Sequence, residues 1–182
     1  MSELWKDIPG FELYQISNLG RVRTQRPLKQ GRPPNQVLKY LGWRFLKISK
    51  MNGYQWVTLR ADKRKQSFYV HRLLWQMFVG PIPDDKQIDH IDRDRSNCRL
   101  ENLRIASKSQ NGQNSRSCRP NRTGYRGVTK IGQNSYEARI RTPSGKRIRI
   151  GVFGTKEEAA VAYNQSAREH HGEFANLNQV PT

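Results

Sequence analysis

Between Ile88 and Leu103 the chain reads Ile-Asp-His-Ile-Asp-Arg-Asp-Arg-Ser-Asn-Cys-Arg-Leu-Glu-Asn-Leu. Apolar positions at both ends enclose a polar middle. That pattern predicts a short strand over residues 87–90, a polar loop over 93–99 and a second strand over 103–106. Ser107 is a suitable N-cap for a following helix that carries Gln110, Asn111 and Asn114. The result is a β-loop-β-helix unit of about 30 residues. Five of the seven aspartates fall between Asp84 and Asp94, in a chain whose formal net charge is +18. Acid gathered in one short segment of a basic chain suits a divalent cation there and a polyanion elsewhere.

The residue types in this unit point to phosphodiester hydrolysis. That reaction needs an activated water, neutralised charge at phosphorus and help for the departing 3′ oxygen. A hard cation supplies the last two, and it prefers oxygen donors such as the Asp89 carboxylate and an amide carbonyl. His90 titrates near neutral pH and can take the proton of the water. On a strand Asp89 and His90 point to opposite sides, so a bend at the strand end is needed for both to serve one centre. The other ring nitrogen of His90 needs a partner that fixes its tautomer, and the Asn102 amide carbonyl is placed to provide one.

Composition narrows the remaining possibilities. Hydrophobic residues make up 35% of the 182 and charged residues 26%, which predicts small cores with much exposed surface. Four Trp, seven Tyr and six Phe argue against a disordered chain. A pI near 10.5 favours nucleic acid as the partner over a membrane. No apolar run approaches the ~18 residues of a membrane span, and the first residues lack the pattern of a signal peptide. Cys98 and Cys118 are twenty residues apart, without the paired spacing of a zinc ribbon. They read as two ordinary thiols, and a disulfide has little support.

Outside the acidic segment the elements are short. Pro9-Gly10 and Asn18-Leu19-Gly20 read as turns around a strand at Tyr14-Gln15-Ile16-Ser17, with another strand starting at Val22. Residues 26–36 read as a basic, proline-containing loop. Residues 53–70 read as a hairpin with a charged connection at 61–65. Val70, Leu73, Leu74, Met77 and Phe78 then mark one face of a helix that Gly80-Pro81 ends. His71, beside that stripe, reads as a packing residue.

Residues 116–123 form a basic linker to a C-terminal module of three strands and a helix. Period two places Arg139 and Arg141 on one face of a strand, and Arg147 and Arg149 on one face of the next. Between Arg116 and Val152 there are ten Lys or Arg and one acid, Glu137, a net +9. Thr155-Lys156-Glu157-Glu158 is a capping box. Ala159, Ala162, Tyr163 and Ala167 give the helix a narrow face suited to close approach to a sheet, and Gly172 ends it.

These residues resemble the HNH, or ββα-metal, nucleases, in particular the homing endonucleases. Asp89-His90 corresponds to the first element of that motif. Asn102, twelve residues after His90, corresponds to the middle asparagine. Asn111, nine further on, corresponds to the helix-borne element, with Asn114 its rival one turn later. The resemblance implies metal ligation by Asp89 and Asn111, a general base in His90 and orientation of that base by Asn102. Val70-His71-Arg72-Leu73-Leu74 is similar to the helix that often precedes the motif. Trp5-Lys6-Asp7-Ile8-Pro9-Gly10 and Ser17-Asn18-Leu19-Gly20-Arg21-Val22-Arg23 are similar to a nuclease-associated modular motif.

Residues 124–178 resemble the plant ethylene-response-factor (APETALA-type) DNA-binding domain, through Tyr125-Arg126-Gly127-Val128, Tyr136-Glu137-Ala138-Arg139-Ile140-Arg141, Ile150-Gly151-Val152-Phe153 and Ala175-Asn176-Leu177-Asn178. The resemblance implies a sheet laid in the major groove, with Arg126, Gln133, Arg139, Arg141 and Arg149 near DNA; Arg147, on the same strand face as Arg149, is expected there too. Thr129, Gln133 and Arg149 depart from the plant pattern, so a plant target sequence does not transfer.

The expectation is an α+β protein: a ββα-metal HNH unit joined to a three-stranded antiparallel sheet plus helix DNA-binding domain. Residues 1–83 support the nuclease, 84–115 form the catalytic unit, 116–123 the linker and 124–178 the recognition module. The expected activity is site-specific endonucleolytic hydrolysis of DNA that nicks one strand, with one Mg²⁺ or Mn²⁺ as cofactor. The alternative is a non-catalytic, sequence-specific DNA-binding regulator. Double-stranded DNA is the expected partner, with no membrane and no small-molecule cofactor, and the chain is expected to be monomeric. The expected setting is the cytoplasm of a bacterial host, with a phage or mobile element as carrier. Removal of residues 116–182 is expected to leave metal-dependent cleavage but to lose most site preference.

Overall fold

The computed structural model describes residues 2–25, 42–61, 64–115 and 122–181. The expected loop at 26–36, the centre of the connection at 61–65 and most of the linker at 116–123 lie outside them. The chain divides into two compact units, Met1–Asp84 with His90–Ile105, and Asp85–Asp89 with Ala106–Thr182. Within residues 84–115 the chain passes between the two units after Asp84, after Asp89 and after Ile105.

The first unit begins with four antiparallel strands, β1 (Trp5–Ile8), β2 (Phe11–Ser17), β3 (Val22–Thr24) and β4 (Arg44–Phe45), in that order across the sheet. Ile8, Phe11, Tyr14, Ile16 and Val22 supply its buried side chains. Gly20, at the β2–β3 turn, has φ +78, and a Cβ there would lie 2.7 Å from the carbonyl oxygen of Cys98. Glycine is therefore required twice over, by backbone conformation and by close approach. Leu100 N donates to the Asn18 carbonyl at 2.8 Å, so this turn braces the polar loop after His90.

A second sheet follows, β5 (Ser49–Met51), β6 (Tyr54–Ala61) and β7 (Arg64–Tyr69). Asn52 and Gly53 join β5 to β6 with φ of +53 and +83, the left-handed pair that a two-residue hairpin turn demands. β7 runs directly into α1 (Val70–Phe78), which buries Val70, His71, Leu73 and Leu74. Lys6 Nζ donates to the Met77 carbonyl at 2.9 Å, a cation at the negative end of that helix.

β8 (Lys86–His90) pairs with β9 (Leu103–Ser107), and a 3-10 turn at Leu100–Asn102 leads into β9. In the second unit α2 (Lys108–Asn114) begins at a capping box, where Gln110 N donates to Ser107 Oγ and Ser107 N donates to Gln110 Oε1. β10 (Val128–Gly132), β11 (Ser135–Arg141) and β12 (Arg147–Phe153) form an antiparallel sheet against α3 (Lys156–His171). Ala138, Ala159, Ala160 and Val128 form one cluster of its core; Ile140, Tyr163 and Ala167 form another. Ala160 joins the buried face of α3, whereas Ala162 is only half-buried. At Gly127, φ is +74 and a Cβ would lie 2.6 Å from the Arg139 carbonyl.

Candidate functional site

In the first unit, His90 is 4% exposed at the end of β8. Its ring lies 5.1 Å from that of His71, at 63°, and 6.1 Å from that of Tyr54. Tyr54 and Tyr69 also flank His71, at 5.3 and 5.7 Å. Aromatic faces on several sides restrict where the His90 imidazole can turn. Burial first, and then the charges of His90 and Arg72, lower the pKa of His71 to about 3, so at neutral pH its ring carries no charge. The Arg95 guanidinium covers Tyr54 at 4.7 Å and donates to the Asn52 carbonyl.

The loop after His90 is held by its own acids. Asp94 N donates to Asp92 Oδ1 at 2.8 Å, Asn97 Nδ2 to Asp92 Oδ2 at 2.6 Å, and Ser96 N to Asp94 Oδ1 at 2.9 Å. Burial alone would raise the Asp92 pKa, but hydrogen bonds from Asn97, Asp94 and Asn102 outweigh it and hold the group below its ordinary value. Much of the acid concentrated in this segment is therefore committed to shaping the loop. Asn102 is buried, and its side chain serves the same loop. Its Oδ1 accepts from Asp92 N at 3.0 Å, and its Nδ2 donates to Asp92 Oδ1 and to the Asn97 carbonyl. Its backbone carbonyl accepts from Ile91 N at 2.8 Å. The Asn102 side-chain carbonyl, expected to face His90, thus accepts from the loop backbone.

In the second unit Asp89 is buried, and the Asn114 amide donates to both of its oxygens, at 3.1 and 2.9 Å. Asn111, one turn earlier, donates to Gln87 Oε1 at 2.7 Å. Strand alternation puts Gln87 and Asp89 on one face, and helix periodicity does the same for Asn111 and Asn114. The two elements therefore meet through two parallel amide contacts, and it is Asn114 that reaches the carboxylate. A carboxylate with neighbouring amide oxygens is a hard donor set, which fits Mg²⁺ or Mn²⁺.

The C-terminal arginines divide into two groups. Arg139, Arg141, Arg147 and Arg149 are exposed, and register pairs Arg139 with Arg149 and Arg141 with Arg147. Like charges directly opposite each other are unfavourable on a sheet. Glu137, 4% exposed, offsets two of them through Arg139 Nε at 2.5 Å and Arg149 Nε at 2.7 Å. Gln133 is exposed at the β10–β11 turn. Arg126 is a strut instead. Its guanidinium donates to Tyr163 Oη and to the carbonyls of Gly112 and Ser115 at the end of α2. Asn176 Nδ2 also donates to the Ser115 carbonyl. A cavity of about 630 Å³ is lined by Lys108, Arg126, Arg139, Arg141, Tyr163 and His171, among others.

Residues 68–113 match the HNH endonuclease family model, and residues 3–60 match the NUMOD4 motif. An uncharacterized HNH endonuclease of Acanthamoeba polyphaga mimivirus is 38% identical over 112 residues, which cover 61% of this chain and 57% of the relative. Protein 3.8 of Escherichia phage T7 is 32% identical over 107 residues, covering 59% of this chain and 88% of that protein. Over 55 residues the chain is 42% identical to dehydration-responsive element-binding protein 2D of Arabidopsis thaliana, covering 30% of this chain and 27% of that one. A solved structure titled as DNA binding and cleavage by the HNH homing endonuclease I-HmuI aligns with a TM-score of 0.48 and 22% identity, over 92% of this chain and 91% of the other. The likeness to the HNH endonucleases is carried by residues 68–113. The chain spans a little over half the length of the mimivirus relative. Among the described residues no helix is long and apolar enough to cross a membrane.

Proposed function

We propose that the chain is a divalent-metal-dependent DNA endonuclease that nicks one strand at a preferred site. One observation carries this reading: the buried Asp89 carboxylate is paired with the Asn114 amide, on a strand whose next residue is His90, inside the segment that matches the HNH family. Asp89 and an amide oxygen of Asn114 or Asn111 would hold one Mg²⁺ or Mn²⁺. When bound, that ion supplies charge neutralisation at phosphorus and at the leaving oxygen. An amide that donates to a carboxylate offers its oxygen to a shared cation only after a half-turn, so Asn114 would reorient on loading. His90 accepts the proton of the attacking water. Tyr54 and His71 limit its ring motion, and Asn102 fixes the loop that leaves it. In-line attack leaves a 5′-phosphate and a 3′-hydroxyl.

Residues 124–178 act as the recognition module, a reading supported by the partial likeness to the plant element-binding protein and by the exposed arginine face. Arg139, Arg141, Arg147 and Arg149 contact duplex DNA, Gln133 lies at the edge of that face, and Arg126 acts from behind it by holding α2. A single catalytic segment in an unsymmetrical chain supports a monomer that nicks. The viral relatives support a phage or mobile element acting inside its host cell.

The test is cleavage of end-labelled duplexes drawn from a site library, with Mg²⁺ or Mn²⁺ against EDTA, followed by mapping of both strands. Metal-dependent cuts on one strand with 5′-phosphate ends are expected. Paired cuts on both strands would overturn nicking. Tight, salt-sensitive binding without cleavage would favour the DNA-binding regulator.

A further inference from the structure

His90 belongs to a second group of potential ligands, separate from the oxygen donors of Asp89 and Asn114. His71, His90 and Cys98 are all buried, and their ligand atoms lie within 4.8 Å of one another. They come from three different segments: the first turn of α1, the end of β8 and the loop that Gly20 holds in place. His71 Nδ1 is buried and has no hydrogen-bond partner among the described residues. A buried polar atom left in that state is costly, and a cation would satisfy it. Two imidazoles and one thiolate form a soft set that selects zinc-like ions over Mg²⁺. Tetrahedral zinc with such ligands brings donor atoms to about 3.5 Å from one another. A separation of up to 4.8 Å thus has to close by up to about 1.3 Å, within the reach of side-chain rotation.

We propose that His71, His90 and Cys98 form a three-ligand site for a soft divalent cation of the zinc class, whose occupation withdraws His90 from proton transfer. Binding forms two N–metal bonds and one S–metal bond, and the proton of the Cys98 thiol passes to the buffer. An imidazole nitrogen whose lone pair is committed to a metal has no capacity left to take a proton from water. The same side chain would thus work as a base when a hard ion occupies the oxygen site and fall silent when a soft ion occupies this one. The silencing rests on the reading of His90 as the base, whereas the site itself does not.

The experiment uses the full chain and two readouts. Co²⁺ is added as a spectroscopic stand-in for Zn²⁺, and the thiolate-to-cobalt charge-transfer band is recorded for the native protein, Cys118→Ser, Cys98→Ser and His71→Gln. The proposal expects the band in the first two proteins, and loss of the band or at least ~100-fold weaker binding in the last two, more than the cost of losing an outer-shell partner. Circular dichroism confirms that each variant is folded. The second readout is Mg²⁺-dependent nicking with rising Zn²⁺, where Cys98→Ser should resist inhibition by at least ~100-fold in Zn²⁺ concentration. Absence of the band, or a band that depends on Cys118, would overturn the site. Stoichiometric binding through Cys98 with undiminished nicking would overturn His90 as a ligand. If the native chain nicks no DNA at all, the nuclease reading fails while the band still decides the site.

Discussion

Asn102 and His71 show how single side chains prepare His90 from opposite directions. The Asn102 amide makes three hydrogen bonds that close the loop between Asp92 and Asn97. Asn102→Ala leaves buried loop groups without partners, at about 1–3 kcal/mol each way it is counted. Turnover should fall by tenfold or more while metal affinity, measured by calorimetry, changes little. Lost metal binding with an intact rate at saturating metal would contradict this. His71 acts through neutrality. Its folded pKa of about 3 lies below the ordinary 6.5, so the unfolded chain binds the extra proton between those values. Stability is fully present above pH 6.5 and is lost as pH falls toward 3, by up to about 1.4 kcal/mol per pH unit. Urea midpoints from pH 7 to pH 4 should show this slope, and His71→Leu should flatten it. Asp89 and His90 were legible in the sequence because they are neighbours in it. The contact between His71 and His90 was not, because a packing histidine and one that touches a base have the same local sequence.

Among the elements, α2 is where sequence reading reached furthest and then stopped. Its N-cap and its asparagines follow from local pattern. Which asparagine reaches Asp89 depends on the phase of α2 against β8, and that phase favours Asn114 in contact, with Asn111 on Gln87. The C-terminal sheet behaves similarly. Period two placed four arginines on two strands, but only the register reveals that they face one another in pairs around Glu137. Each of Arg139 and Arg149, changed to Ala, should reduce the salt slope of DNA binding by about 1 if it contacts phosphate. Gly127→Ala should disrupt the module, since the new Cβ would press on the Arg139 carbonyl. Thermal unfolding reports that loss.

At the scale of the whole chain, composition marks a linker but does not show which side of it an element joins. Residues 116–182 were expected to be dispensable for cleavage. In the structure Arg126 donates to the Gly112 and Ser115 carbonyls and Asn176 to the Ser115 carbonyl, at the end of α2, the helix that bears Asn111 and Asn114. Helix ends without such partners are unstable in short helices. Truncation after Ser115 should therefore lower cleavage at least ~10-fold even on non-specific DNA, on the scale of one mispositioned catalytic group. Full non-specific cleavage by the truncated chain would show that α2 stands without the module.

Whether His90 is the base of a metal-dependent nuclease is decided by nicking of supercoiled DNA by the native chain and by His90→Ala. With Mg²⁺ or Mn²⁺ present, relaxation by the native chain is expected, with none in EDTA and a loss of ~10²-fold or more in the variant. Relaxation by His90→Ala at the native rate, with end chemistry unchanged, would contradict that role.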